Sequence, residues 1–148
     1  MTVLVTNAQH AAPVHVGEMA QFARRAIRRL RIRAKGTLAV TFIDSRRMRQ
    51  LNKRFMRHDR MTDVLSFRYD DEPRSNKLER GEPVLGEVLI APAQARAYAR
   101  RHGIPYRQEL SRYVAHGLLH WLGYEDRTTA QQRTMRALED RLLNGARR

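Results

Sequence analysis

The chain has 148 residues, 42% of them hydrophobic and 30% charged, which suits one globular domain and excludes a disordered tail or a membrane protein. Its 29 Lys and Arg against 15 Asp and Glu give a net charge of +14, typical of proteins with a polyanionic partner, nucleic acid ahead of an anionic membrane. Cysteine is absent, so any metal must be held by His, Asp or Glu rather than by thiolates.

The first half of the chain predicts strands that alternate with helices. Residues 2–6 alternate weakly and predict a short strand. Residues 16–32 carry apolar side chains three and four positions apart, the pattern of one helix face, with arginines over much of the rest. Residues 37–43 are β-branched and apolar, as in a buried strand. Residues 44–45 then offer an N-cap to a helix over residues 46–55.

The second half predicts two strands followed by helices. The strands span residues 64–69 and 84–91. Pro92 opens a helix that ends at Gly103, and Pro105 opens another that runs to residue 122. Thr128 or Thr129 caps the last helix, whose inward side chains are Met135, Leu138, Leu142 and Leu143.

The segment between the last two strands, residues 70–83, is polar and predicts an exposed, mobile loop. Each flanking part is too short to fold alone, so residues 1–148 are expected to form a single domain. Strands come first and helices accumulate later, which predicts an α+β fold with a four-stranded mixed sheet and about five helices. The start of the chain has no basic segment followed by an apolar stretch, and we therefore expect a cytoplasmic protein.

The most informative segment is HGLLHWLGYED near the end of the predicted fourth helix. His116 and His120 are four positions apart, about 400° of helix rotation, so both rings can reach a single ion. Gly123 can adopt a positive φ that folds the chain back and brings Asp126 or Glu125 to the metal. Two histidines and a carboxylate form the ligand set of hydrolytic zinc sites, and we predict zinc, with nickel, cobalt or iron(II) as alternatives.

Gly117 bears on the class of enzyme. A metallopeptidase with an H-E-x-x-H motif uses the residue after the first histidine as general base, and glycine has no side chain. Peptidase chemistry is therefore disfavoured. We expect the small glycine to let substrate or backbone approach the metal.

The same segment resembles the YbeY family of bacterial endoribonucleases, also described as rRNA maturation factors, whose motif is H-G-x-L-H-L-x-G-Y-D-H. A second family block, L-N-x-x-Y-R-x-x-D-x-P-T-D-V-L-S-F, is similar to residues 51–67. A third, L-G-D-I-x-I, is similar to residues 85–90. The three blocks lie in the family's order.

The resemblance implies one Zn²⁺ per chain, held by His116, His120 and Asp126, where the family's third ligand is a histidine. The family's functional arginine aligns with Met56, and Arg57 at the next position is our candidate catalytic residue.

The second block also gives candidate substrate-binding residues. Thr62, Asp63 and Ser66 are predicted to add polar groups to the floor of the cleft. The alternative is a capped turn that runs into a buried strand.

The resemblance further implies a metal-dependent, single-strand-specific endoribonuclease that acts in rRNA maturation and ribosome quality control. Its partner would be RNA of the small ribosomal subunit, with neither membrane nor DNA expected. Attack by water and attack by a ribose 2′-hydroxyl both remain open. The alternatives are an RNA-binding or ribosome-binding factor with a mainly structural metal, or another metal-dependent hydrolase.

Overall fold

The computed structural model describes residues 1–56, 63–69 and 83–145. Arg57, Thr62 and nearly all of the predicted loop over residues 70–83 lie outside these ranges. The strands are β1 (Thr2–Ala8), β2 (Thr37–Ile43), β3 (Val64–Arg68) and β4 (Val84–Ile90). The helices are α1 (Val16–Arg29), α2 (Ser45–Met56), α3 (Pro92–His102), α4 (Tyr106–Trp121) and α5 (Thr129–Gly145).

The four strands form one sheet in the order β1-β2-β4-β3. The β1–β2 and β2–β4 pairs are parallel, whereas β3 runs antiparallel to β4. The predicted α+β fold with a four-stranded mixed sheet and five helices is confirmed. In the part of the chain that the structure describes, no helix is long and apolar enough to cross a membrane.

Helix α1 is shorter than the sequence predicts, ending at Arg29 instead of residue 32. Arg31 adopts a positive φ of 55°, which breaks the helical path. The Ile32 N–H then donates to Ile27 O at 3.2 Å and closes the helix end.

Successive side chains of a strand point to opposite sides, so both faces of the sheet carry buried side chains. The two buried clusters differ in size. Val40, Phe42 and Val88 point into the main core, together with buried side chains of α1, α3, α4 and α5. The opposite face carries a smaller buried cluster in which Met48 of α2 packs with residues of three strands and with the alanine after β4: Ile43, Leu65, Leu89 and Ala91.

Helix α4 lies unusually close to the sheet at two glycines. A Cβ at Gly117 would lie 2.3 Å from Val88 Cγ1, and a Cβ at Gly86 would lie 2.0 Å from Trp121 Nε1 and 2.5 Å from the Phe67 carbonyl oxygen. The side of Gly117 on which a side chain would stand therefore faces the sheet. The expected approach of a substrate at this glycine does not fit the structure, because Val88 of β4 fills the space. The alternative, an approach of backbone to the metal, stays a prediction.

Candidate metal centre

Helix α4 brings together the two histidines that the sequence predicts as metal ligands. Their ring centroids are 4.5 Å apart and the ring planes meet at 73°. Both side chains are 27% exposed, whereas the other residues of this part of α4, from Arg112 to Trp121, are buried. The opposite side of the same turns packs into the core through Val114 and Leu118, neither of which is exposed.

The turn after α4 delivers the third group. Gly123 adopts a φ of 108°, a conformation that favours glycine, and its N–H donates to His120 O at 2.9 Å. The chain then reverses, and Asp126 Oδ2 lies 3.4 Å from the Nε2 atoms of both His116 and His120. Glu125, the alternative from sequence, instead lies beside Arg127, with Oε2 3.4 Å from Arg127 Nε.

The start of α5 holds Asp126 in place. Thr128 Oγ1 accepts a hydrogen bond from the Gln131 N–H at 3.1 Å, and Gln131 Oε1 accepts one from the Thr128 N–H at 3.1 Å. This reciprocal cap shows that Thr128 rather than Thr129 is the capping residue. Gln132 Nε2 also donates to the Asp126 carbonyl oxygen at 3.1 Å. The backbone of the aspartate is thereby tied to the helix that follows it.

A second carboxylate, which sequence reasoning missed, lies behind His116. Glu139 Oε2 is 2.6 Å from His116 Nδ1, and Glu139 is only 4% exposed. Arg112 Nη1 donates to Glu139 Oε1 at 3.1 Å, and Arg112 Nη2 donates to Asp140 Oδ1 at 2.7 Å. The spacing of α5 could have indicated this residue, since Glu139 is a charged side chain on the apolar face between Met135 and Leu142.

Burial and charge shift several pKa values around this cluster. Burial raises the pKa of Glu109, against the opposing charges of Arg112 and Arg136. Burial alone would lower the pKa of Arg112, but its hydrogen bonds to Asp140 and Glu139 outweigh that effect and raise it. Arg112 is therefore a permanent cation among three carboxylates.

Asp63 and Ser66 both connect β3 to α4. Asp63 Oδ2 accepts a hydrogen bond from the Tyr113 hydroxyl at 3.0 Å, and burial, reinforced by the Asp63 charge, raises the pKa of Tyr113. Ser66 Oγ donates to the Gly117 carbonyl oxygen at 2.8 Å. Their part in substrate binding stays a prediction, as do the roles of Thr62 and Arg57, which lie outside the described residues.

The donor set fits a divalent metal ion. His116, His120 and Asp126 each offer one ligand atom, and these atoms lie within 4.8 Å of one another. Two imidazoles and one carboxylate suit zinc, and also nickel, cobalt and iron(II). A site with three protein ligands leaves a coordination position for water or substrate, as in hydrolytic centres.

The chain is similar to known proteins over most of its length. The family model described as Endoribonuclease YbeY matches residues 4–147. A relative of that name from Thermobifida fusca is 34% identical over 149 residues, covering 100% of this chain and 96% of the relative. One from Acidothermus cellulolyticus is 36% identical over 149 residues, covering 97% and 90%.

A longer relative and a solved structure are also similar to this chain. The Endoribonuclease YbeY of Myxococcus xanthus is 38% identical over 106 residues, which span 72% of this chain and 35% of that protein. The solution structure of TM1509 from Thermotoga maritima has a TM-score of 0.60 and 20% identity, covering 99% of this chain and 92% of that one. At this identity, the structural likeness concerns the fold.

Proposed function

The chain belongs to the YbeY endoribonuclease family, and from this premise we propose that it is a metal-dependent endoribonuclease specific for single-stranded RNA. His116, His120 and Asp126 are the proposed metal ligands and Zn²⁺ the proposed ion, one per chain. The proposed substrate is rRNA of the small ribosomal subunit in the cytoplasm, cleaved during rRNA maturation and ribosome quality control.

The observation that carries the proposal is the convergence of Asp126 on both histidines. A single carboxylate oxygen lies 3.4 Å from each Nε2, on the exposed side of α4. When bound there, a divalent ion supplies Lewis-acid polarisation of a phosphoryl oxygen and activation of the attacking group. The carboxylate offsets part of the ion's charge, which makes the centre a weaker Lewis acid than a three-histidine site.

The chain's cations supply affinity for the RNA backbone. Exposed basic side chains line α1 and α2, and a net charge of +14 attracts phosphates over the whole surface. On sequence grounds alone, we assign Arg57 to the charge that develops on the scissile phosphate. Removing one donor of that kind commonly lowers a rate by about 10²-fold or more.

The test is cleavage of a single-stranded RNA oligonucleotide by the full chain, with metal content measured on the same sample. We expect cleavage of the single strand but not of the matching duplex. His120→Ala should abolish cleavage while leaving the fold and the RNA affinity unchanged. If His120→Ala cleaves like the parent, the proposal fails; if it unfolds, the metal is structural and the binding-factor alternative gains support.

The products of the same assay identify the attacking group. A 2′,3′-cyclic phosphate at the new end requires attack by the ribose 2′-hydroxyl, whereas a terminal phosphate formed without that intermediate indicates attack by water. Mass spectrometry of the fragments at early times distinguishes the two.

The third ligand has a matched control in its neighbour. Asp126→Ala should lower Zn²⁺ affinity, measured by competition with a chelator, because the carboxylate that contacts both histidines is removed. Glu125→Ala should leave the affinity unchanged, since Glu125 lies beside Arg127. Asp126→His should retain the ion. The reverse result for the two alanine variants would identify Glu125 as the ligand.

A further inference from the structure

The two histidines of the candidate centre differ in the groups that lie on the side of the ring away from Asp126. His116 Nδ1 is 2.6 Å from Glu139 Oε2. Among the described residues, no carboxylate lies on the other side of His120, whose side chain contacts Asp126 and the His116 ring. Within the described part of the chain, the His116 ring therefore has a carboxylate of α5 on its Nδ1 side, and the His120 ring has none.

The contact with Glu139 selects one tautomer of His116. A carboxylate can only accept a hydrogen bond, so the shared proton belongs to Nδ1 of the ring. Nε2 then keeps its lone pair, and Nε2 is the atom that faces Asp126. The nitrogen that the proposed site needs as a ligand is thus the one that this tautomer leaves available.

Arg112 fixes Glu139 in turn. Its guanidinium donates to Glu139 at 3.1 Å and to Asp140 at 2.7 Å, with the Arg112 side chain only 10% exposed. A buried carboxylate with a hydrogen-bonded cation on one oxygen and an imidazole on the other has no freedom to rotate. The chain Arg112–Glu139–His116 links three groups on two helices, α4 and α5.

We propose that Glu139 is a positioning residue for the metal centre, and that Arg112 acts through Glu139. Glu139 fixes the ring orientation and tautomer of His116 before the ion arrives. The inference rests on the proposed function only in taking His116 as a metal ligand. Carboxylates in this position typically contribute 10–100-fold to metal affinity.

The experiment compares two acidic residues that share Arg112. Glu139→Gln removes the carboxylate that contacts both Arg112 and His116, whereas Asp140→Asn removes one that contacts Arg112 and, among the described residues, not His116. The affinity of the full chain for Zn²⁺ is measured by chelator competition, and thermal unfolding of the metal-free variants is followed in parallel. We expect Glu139→Gln to weaken Zn²⁺ binding by about 10–100-fold and Asp140→Asn to change it by less than about twofold.

The outcomes separate positioning from simple stabilisation. Equal affinity for Glu139→Gln and the parent overturns the inference, and so does an equal loss in Asp140→Asn. If Glu139→Gln does not fold, NMR of the metal-free parent, at a pH where the His116 ring is neutral, decides. A proton on Nδ1 supports the inference and a proton on Nε2 overturns it. Zn²⁺ affinity is independent of RNA cleavage, so a parent that binds Zn²⁺ without cleaving RNA contradicts only the proposed function.

Discussion

The two faces of the sheet differ in both packing and charge. One face is covered by α1, α3, α4 and α5 over the main core, and α4 approaches the strands closely at Gly117 and Gly86. The other is covered by α2, whose Met48 packs with four other buried residues of the described part of the chain, beside the partly buried Leu51 and Phe67. Helix α2 has basic residues and no acidic one. The main-core face therefore carries the candidate metal centre and helices of mixed charge, whereas the charged residues of α2 on the other face are all basic.

The candidate site combines a short local motif with rigid packing on the main-core face. The three candidate ligands and Glu139 lie on α4, on α5 or in the turn between them, and α4 packs against β3 and β4. The α2 face carries a smaller share of the buried apolar surface, and therefore a smaller share of the hydrophobic stabilisation.

The largest expected effect comes from cavities on the two faces. Leu118→Ala should lower the free energy of unfolding by about 4 kcal/mol and Met48→Ala by about 2 kcal/mol, although neither parent side chain is exposed. Leu118 lies in the main core, where rigid neighbours leave the new cavity unfilled. Met48 lies beside the partly buried Leu51 and Phe67, which can move into the cavity. Urea denaturation of the metal-free protein measures both values. Equal losses would mean that the two faces are packed equally tightly.

A smaller effect is expected from adding a methyl group between α4 and the sheet. Gly117→Ala should cost about 2 kcal/mol, because the new Cβ would overlap Val88 Cγ1. Combining it with Val88→Ala should cost less than the sum of the two single variants, since the second substitution makes room for the first. Additive losses in the same urea titration would show that Val88 is not the obstacle.

The tie between α4 and β3 should contribute about 1 kcal/mol. Tyr113→Phe removes the hydrogen bond to Asp63, and a hydrogen bond of this kind contributes about 1 kcal/mol. The pKa of Tyr113 is raised in the folded state, so the folded protein holds this proton more tightly than the unfolded chain does. Stability should therefore fall as pH rises above about 10, the unfolded value. Tyr113→Phe should reduce that slope, and an unchanged slope would assign it to other groups.

The smallest effect on stability is expected from the exposed charges of α2. Replacing Lys53 and Arg54 by glutamine should change the free energy of unfolding by less than about 0.5 kcal/mol. It should lower single-stranded RNA affinity and reduce the salt slope by about 0.7 per lost phosphate contact. The matched control replaces Arg28 and Arg29 of α1, which packs against β1 at the opposite edge of the sheet from β3. If the control lowers RNA affinity equally, the attraction is spread over the surface.

Periodicity and caps predicted the secondary structure because those signals are local. The Asp44 side chain accepts the Arg47 N–H at 2.7 Å, as expected of an N-cap, and Gly103 ends α3 at a φ of 62°. The spacing of His116 and His120 and the turn at Gly123 likewise predicted that the three ligand candidates meet.

Contacts between distant segments could not be predicted in this way. Sequence spacing does not show that β4 lies between β2 and β3, because strand pairing depends on the whole chain. The spacing of α5 predicts that Glu139 faces inward, but it does not predict that Glu139 contacts Arg112 and His116. Arg112 and His116 belong to another helix, and only the packing of α4 against α5 brings the three together.

The short stretch of chain that carries the three proposed ligands has a thermodynamic consequence. His116, His120 and Asp126 lie within one helical turn and the loop after it, so the unfolded chain also keeps them near one another and retains some affinity for an ion. An ion that binds both states raises the midpoint of thermal unfolding by less than its affinity for the folded state would give. Glu139 is separated from these ligands by three turns of α5 and approaches His116 only after folding. If Glu139 positions His116 as proposed, the gap between the two affinities, and with it the stabilisation that an ion provides, depends partly on a group that does not touch the ion.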